Sequence, residues 1–141
     1  MLACLSAAFE AYRDSYTAAA FADTILTSET IHERLQKMTV FVATNNFGEI
    51  VGTIACSVVS PEEGPIRGMA VLPSSLGSGL AAQLLTRAEA HLQSLGCKRM
   101  SLDTTAPLAR AIQFYERAGF VPSGKIQDFF GMPLMEYVKS I

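Results

Sequence analysis

Val71-Leu72-Pro73-Ser74-Ser75-Leu76-Gly77-Ser78-Gly79-Leu80-Ala81 decides how this chain is read. Upstream, Ile66 to Leu72 has the composition of a strand, and Pro73 ends it. Downstream, Leu80, Ala81, Leu84, Leu85, Ala88, Leu92 and Leu95 recur at helical spacing, with Gly96 as a left-handed stop. The segment is therefore a strand-turn-helix junction with two glycines at the turn. Glycine admits positive φ and close backbone approach. Free N–H groups at a helix start, aligned with its dipole, attract phosphate without a side-chain cation. Taken alone, the turn reads equally as a tight corner or as a phosphate cradle. Nucleoside-triphosphate and dinucleotide fingerprints both fail. No Lys-Ser/Thr pair follows the glycines, and Ala82 stands where a third glycine belongs.

Outward from the junction, the remaining chain alternates between helix and strand signals. Lys98 to Thr104 predicts the next strand, so Ile66 to Thr104 forms a strand-helix-strand unit, expected as a right-handed parallel crossover. Leu108 to Ala118 predicts a helix, with Pro107 at its start and Gly119 after its end. Phe120-Val121 and Leu134 to Val138 read as closing strands around a loop at Ser123 to Pro133. On the N-terminal side, Val40 to Thr44 and Ile50 to Val59 form a hairpin across Asn45 to Glu49. Leu5, Ala8, Phe9, Tyr12, Arg13 and Tyr16 predict a first helix. A looser stretch runs to Thr27, and a short helix covers Thr30 to Met38, with Thr30 to Glu33 as its capping box. The fold class is α/β, with helices packed around one mixed sheet in a single domain over residues 1–141.

Composition narrows the function. Of 141 residues, half are hydrophobic and 17% charged, and the net charge is -2, so neither a disordered chain nor a nucleic-acid surface is expected. Cys4, Cys56 and Cys97 lack metal or disulfide spacing, which predicts no metal and a reduced, cytoplasmic setting. The apolar N-terminus lacks a basic region, and the longest uncharged run is broken by Pro73 and glycines, so no signal peptide or membrane partner is predicted.

The spacing V-x-P-x-x-x-G-x-G-x-A-x-x-L-L from Val71 to Leu85 resembles the cofactor motif of the GNAT family, the GCN5-related N-acetyltransferases. Ala111-Ile112-Gln113-Phe114-Tyr115-Glu116-Arg117-Ala118-Gly119-Phe120 is similar to that family's second signature, in the expected order and separation. Gly48 to Gly52 resembles its early turn, and the likeness runs from about Thr39 to the end. The resemblance implies a mainly antiparallel sheet with a central β-α-β crossover. The family's usual first strand is missing ahead of the first helix, and the bare edge left behind favours a homodimer. Leu76 stands where the family carries Gln or Arg, and Leu108 where it often carries Asn.

What the resemblance implies chemically is acetyl transfer from acetyl-CoA directly to a primary amine of a small molecule or protein. Gly77, Ser78, Gly79, Leu80 and Ala81, with Leu76 before them, would take the pyrophosphate. The backbone of Met69, Ala70 and Val71 would pair with the pantetheine arm, and Phe114 would lie against the cofactor. Tyr115 matches the family's general acid. An ammonium acceptor with a pKa of about 10.4 needs a base, and Glu62, Glu63 and Asp103 are candidates. Phe9, Tyr12, Tyr16 and Phe21 are candidates for the acceptor pocket, with Phe129 and Phe130 covering it. Leu76 and Leu108 keep a second expectation open, a CoA-binding module without turnover.

Overall fold

The computed structural model describes all of residues 1–141. In chain order its elements are α1 (Leu2–Phe9), a 3-10 turn (Glu10–Ser15), α2 (Ala18–Ile25), α3 (Ser28–Lys37), β1 (Thr39–Thr44), β2 (Ile50–Cys56), β3 (Glu63–Val71), α4 (Leu80–Ser94), β4 (Arg99–Thr104), α5 (Ala109–Arg117), β5 (Val121–Phe129) and β6 (Met132–Ser140). The six strands form one sheet in the order β1-β2-β3-β4-β6-β5. Only β3 and β4 run parallel; every other neighbouring pair is antiparallel.

The expected architecture is present, with local corrections. The first helical pattern breaks after Phe9 into the 3-10 turn, where Arg13 closes an i,i+3 pair onto Glu10. The stretch expected to be loose contains α2, started by the Thr17 hydroxyl accepting from Ala20 N–H. The box on α3 sits one turn earlier than predicted: Thr27 is the N-cap and Thr30 the reciprocal partner. The predicted loop at Ser123 to Pro133 is mostly strand. β5 and β6 pair from Val121/Val138 to Phe129/Met132, and a two-residue slip at Ser123-Gly124-Lys125 interrupts the ladder. Turn composition hid a bulged strand there.

Two apolar layers clamp the sheet. On one face, Leu84, Leu85, Ala88 and Leu92 of α4 pack on Ile54, Cys56, Ile66 and Val71, continuous with Met100, Leu102, Phe120 and Tyr137. On the other, Cys4 and Leu5 of α1 pack with Leu26 and Ala70. Gly52 and Gly64 let α4 approach closely: a Cβ on either would run into leucine side chains of that helix.

Two departures from regular pairing shape the middle of the sheet. The β2–β3 register moves from Thr53/Ala70 to Ala55/Arg67, so β3 carries one extra residue around Gly68, whose φ is +57°. The β3–β4 register covers only Glu63/Arg99, Gly64/Met100 and Pro65/Ser101. Beyond those pairs the two strands no longer share register partners, and the sheet opens.

Candidate functional site

The opening between the parallel strands is the floor of a cleft of about 540 Å³. Its walls come from the C-terminal halves of β3 and β4, the glycine turn, the start of α5 and the N-terminal helices. Of the residues singled out in the sequence, Met69, Ala70, Val71, Leu76, Gly77, Gly79, Leu80, Ala81, Asp103, Phe114 and Tyr115 all line it. Ser78 does not; its hydroxyl turns back to donate to the Ser75 carbonyl at 2.5 Å. Glu63 is also outside, at the closed end of the strand pair, 3.9 Å from Arg99, and Glu62 lies 3.9 Å from Lys98.

The glycine turn is built to present amides. Gly77 and Gly79 have φ of +79° and +81°, and a Cβ on either would meet nothing within 4 Å. These glycines are required by backbone conformation rather than by crowding. Gly79 is the N-cap of α4 and offers no side-chain acceptor. The N–H groups of Gly77, Ser78, Gly79, Leu80, Ala81 and Ala82 consequently have no acceptor in the chain; the first amide to find one is that of Gln83, on the Gly79 carbonyl. A run of free donors at a helix start fits a pyrophosphate. Leu76, 45% exposed beside it, adds no charge.

Thr104 supplies a second sign of fit. It is 3% exposed, it lines the cleft, and its Oγ1 is buried without a hydrogen-bond partner. A buried hydroxyl is nearly always paired, so this one is suited to a polar group of a bound molecule.

Tyr115 is half-buried, edge-on to Phe114 and Phe120 at 5.4 and 5.7 Å. Burial pushes its phenol well above the ordinary value. Asp103 projects from β4 opposite Glu136 of β6. Burial, with the Glu136 charge adding to it, raises the Asp103 carboxyl, while Arg67 and Lys125 oppose the shift.

The N-terminal segment closes the cleft from the other face. Phe9, Tyr12 and Tyr16 line it, whereas Phe21 is buried beneath Tyr16 with the Arg13 guanidinium over its ring. Tyr16 OH and Thr105 Oγ1 share a 2.6 Å hydrogen bond, which ties this segment to the end of β4. Burial raises the Tyr16 phenol, and the Thr105 hydrogen bond opposes that shift. Thr17 Oγ1 donates to the Phe130 carbonyl at 2.9 Å. Phe129 lines the cleft; Phe130 stays exposed at the turn, at φ +50°. His32 is exposed, and His91 packs on Phe41; neither lines the cleft.

Sequence reasoning missed Arg34, Arg67, Thr104 and Thr105, all of which line the cleft. Gly68, inside a strand pattern, was the one local signal of the bulge. Arg34 carried none, because its position on α3 has no sequence link to β3.

Comparison with known proteins agrees with this geometry. The acetyltransferase (GNAT) family matches residues 3–120. The chain is 28% identical over 86 residues to the N-alpha-acetyltransferase MAK3 of Arabidopsis thaliana, covering 59% of this chain and 45% of that protein. It spans about half the length of the curated relatives it matches. Among solved structures, Ard1 from Thermoplasma volcanium superposes with a TM-score of 0.78 at 18% identity, covering 100% of this chain and 93% of that one. A GNAT family acetyltransferase from Elizabethkingia anophelis with acetyl-CoA bound gives 0.67 at 17% identity, over 82% and 84%. The opened parallel pair, the amide-lined turn and the family match over most of the chain lead to one conclusion: this chain belongs to the GNAT family of acetyltransferases.

Proposed function

We propose that the chain is an acetyl-CoA-dependent N-acetyltransferase that passes an acetyl group directly to a primary amine of a small molecule or protein. The observation that carries the proposal is the cleft itself, which puts the unpaired amides of Gly77 to Ala82, the unpartnered edge of Met69 to Val71 and the Tyr115 phenol along one wall system. The acetyl-CoA-bound relative supports the choice of donor.

When bound, acetyl-CoA would supply the activated acetyl thioester; the protein supplies position, electrostatics and proton control. The Gly77 to Ala82 amides would hold the diphosphate, with the α4 dipole behind them. The open edge of β3 would hold the pantetheine arm by strand-like pairing and direct a backbone N–H to the carbonyl that gains negative charge. Tyr115, kept protonated by burial, would offer its O–H to sulfur as charge develops there. Asp103 faces the amine side. Its raised carboxyl is a stronger base than an ordinary aspartate and accepts the proton that the nitrogen must lose. An ammonium acceptor loses two protons: one leaves to solvent by way of Asp103 before attack, and the second balances the proton gained by the thiol.

Calorimetry with acetyl-CoA, followed by thiol release over an amine panel, tests the proposal. Binding at micromolar to sub-millimolar donor and amine-dependent thiol release are expected. Absence of binding at millimolar donor would sink it. Tight binding with no release for any amine would select instead a CoA-binding module, the reading favoured by Leu76 at the phosphate turn and Leu108 at the start of α5.

A further inference from the structure

The cleft carries charge that donor binding does not explain. Leu76 adds no charge at the phosphate turn, and four arginines, Arg34, Arg67, Arg110 and Arg117, line the cleft. Two of them, Arg34 and Arg67, meet at the bulge of β3. The Arg34 guanidinium reaches from α3 across Gly68, and its Nη1 occupies the place a Cβ would take there. Leu5 of α1 is the next neighbour at that point, so this is the face covered by the N-terminal helices.

Two other cations that reach into the packed protein are paired. Lys139 is 2.6 Å from Glu89, and Arg99 is 3.3 Å from Glu136. Arg34 is half-buried, yet no carboxylate lies within 4.0 Å of it, and none lies that close to Arg67. Burial and the neighbouring Arg67 charge both lower the Arg34 pKa, and Asp23 only partly opposes them. A partly desolvated guanidinium facing a second cation is unfavourable unless something anionic joins them. Planar guanidinium donors match a carboxylate in a bidentate fork. Asp23, Asp103, Tyr12 and Tyr16 line the same cleft and suit the ammonium end of an acceptor.

We infer that the acceptor carries a carboxylate close to its amine, held by Arg34 and Arg67 across the Gly68 bulge while the amine faces Asp103. This deepens the transferase reading and rests on it. The carboxylate belongs either to a free amino acid or to an acidic residue at a peptide N-terminus. Both present the same chemistry to the arginines.

The test uses amine pairs that differ in that charge, with rates expressed per concentration of unprotonated amine because the carboxylate also raises the amine pKa: L-amino acids against their carboxamides, and short peptides beginning with Asp against the same peptides beginning with Asn. For the pair from the correct source, the acid member should show kcat/KM at least about tenfold above its neutral partner, mostly through KM, a preference of roughly 1.4 kcal/mol. Arg34→Met should abolish the preference and leave acetyl-CoA affinity within about twofold. Equal use of acid and neutral members, or a preference untouched by Arg34→Met, overturns the inference. So does a large loss of acetyl-CoA affinity in Arg34→Met, which would make Arg34 a donor-binding residue.

A turnover-independent arm covers the case in which no panel member reacts. N-acetylglycine should raise the melting midpoint of the wild type more than N-acetylglycinamide does, and Arg34→Met should lose the difference. If Arg34→Met does not fold, Arg67→Met carries the same test. No difference between the two compounds, with no acid preference, overturns the inference. Acetyl-CoA binding in the same wild-type preparation separates the two levels: binding without carboxylate preference removes this inference alone, and no binding removes the transferase reading.

Discussion

Tyr115 is held at the base of α5 by the edges of Phe114 and Phe120, so its hydroxyl is placed by aromatic packing and its proton is retained by burial. Phenylalanine keeps that packing and removes only the O–H. Tyr115→Phe should therefore lower kcat by about 10²-fold, within the usual range for a general acid, and leave the acetyl-CoA Kd within about twofold. Stopped-time thiol release and calorimetry read the two quantities separately, and an unchanged kcat excludes the phenol from the chemistry. Thr104 invites the opposite kind of experiment. Its buried Oγ1 has no partner, so the folded protein without ligand carries an uncompensated desolvation cost. Thr104→Val removes the hydroxyl at nearly constant volume. We expect a gain of about 1 kcal/mol, or roughly 3 °C in melting midpoint, together with weaker acetyl-CoA binding. A lower midpoint would mean that the hydroxyl is bonded after all.

The decisive element is the junction between β3 and α4. The anion site proposed there is made of backbone amides, and Leu76 adds no charge to it. Leu76→Arg would add a guanidinium next to free amides and should tighten acetyl-CoA binding by about threefold to tenfold at low salt. The gain should shrink as ionic strength shortens the screening length to about 8 Å at 0.15 M. An affinity indifferent to the substitution would move the diphosphate away from this turn. The junction was legible in the sequence because its signals are local: paired glycines, a proline stop and an amphipathic period. β5 was hidden for the opposite reason. Pro122, Ser123 and Gly124 carry turn chemistry, and the tight turn that joins β5 to β6 is made by Phe130-Gly131 at positive φ, with a phenylalanine where Asn or Asp is usual and Asp128 accepting from Gly131 N–H from outside the turn's centre. α2 was also missed, since Ala18-Ala19-Ala20-Phe21-Ala22 carries little polar alternation and its start depends on the Thr17 cap. In the cleft, residues inside the two motifs were found from spacing alone. Arg34, Thr104 and the Tyr16–Thr105 bond were not, because each acquires its meaning from a partner distant in the chain or from lacking one.

At the scale of the molecule, a ligand in the cleft would touch both sides of an opened sheet that is itself joined by three paired positions. Binding should thus stabilise the protein as one unit. At a hundredfold excess over Kd, acetyl-CoA should add about 2.7 kcal/mol and raise the midpoint of a single cooperative transition in calorimetry. Two transitions, with only one of them shifting, would show that the sides melt independently. The reason to expect one is α4. It belongs in sequence to the second side, yet its leucines cover Ile54, Cys56, Ile66 and Val71 on the first.

That crossing of α4 has a consequence during synthesis. A nascent chain that has emerged only as far as Ser75 holds β1, β2 and β3, yet the apolar face of that hairpin array is bare, because Leu84 to Leu92 are still inside the ribosome. The first half of this protein cannot finish folding on its own schedule. It must wait for the helix that follows the glycine turn, and over that interval its exposed strands are open to misassociation.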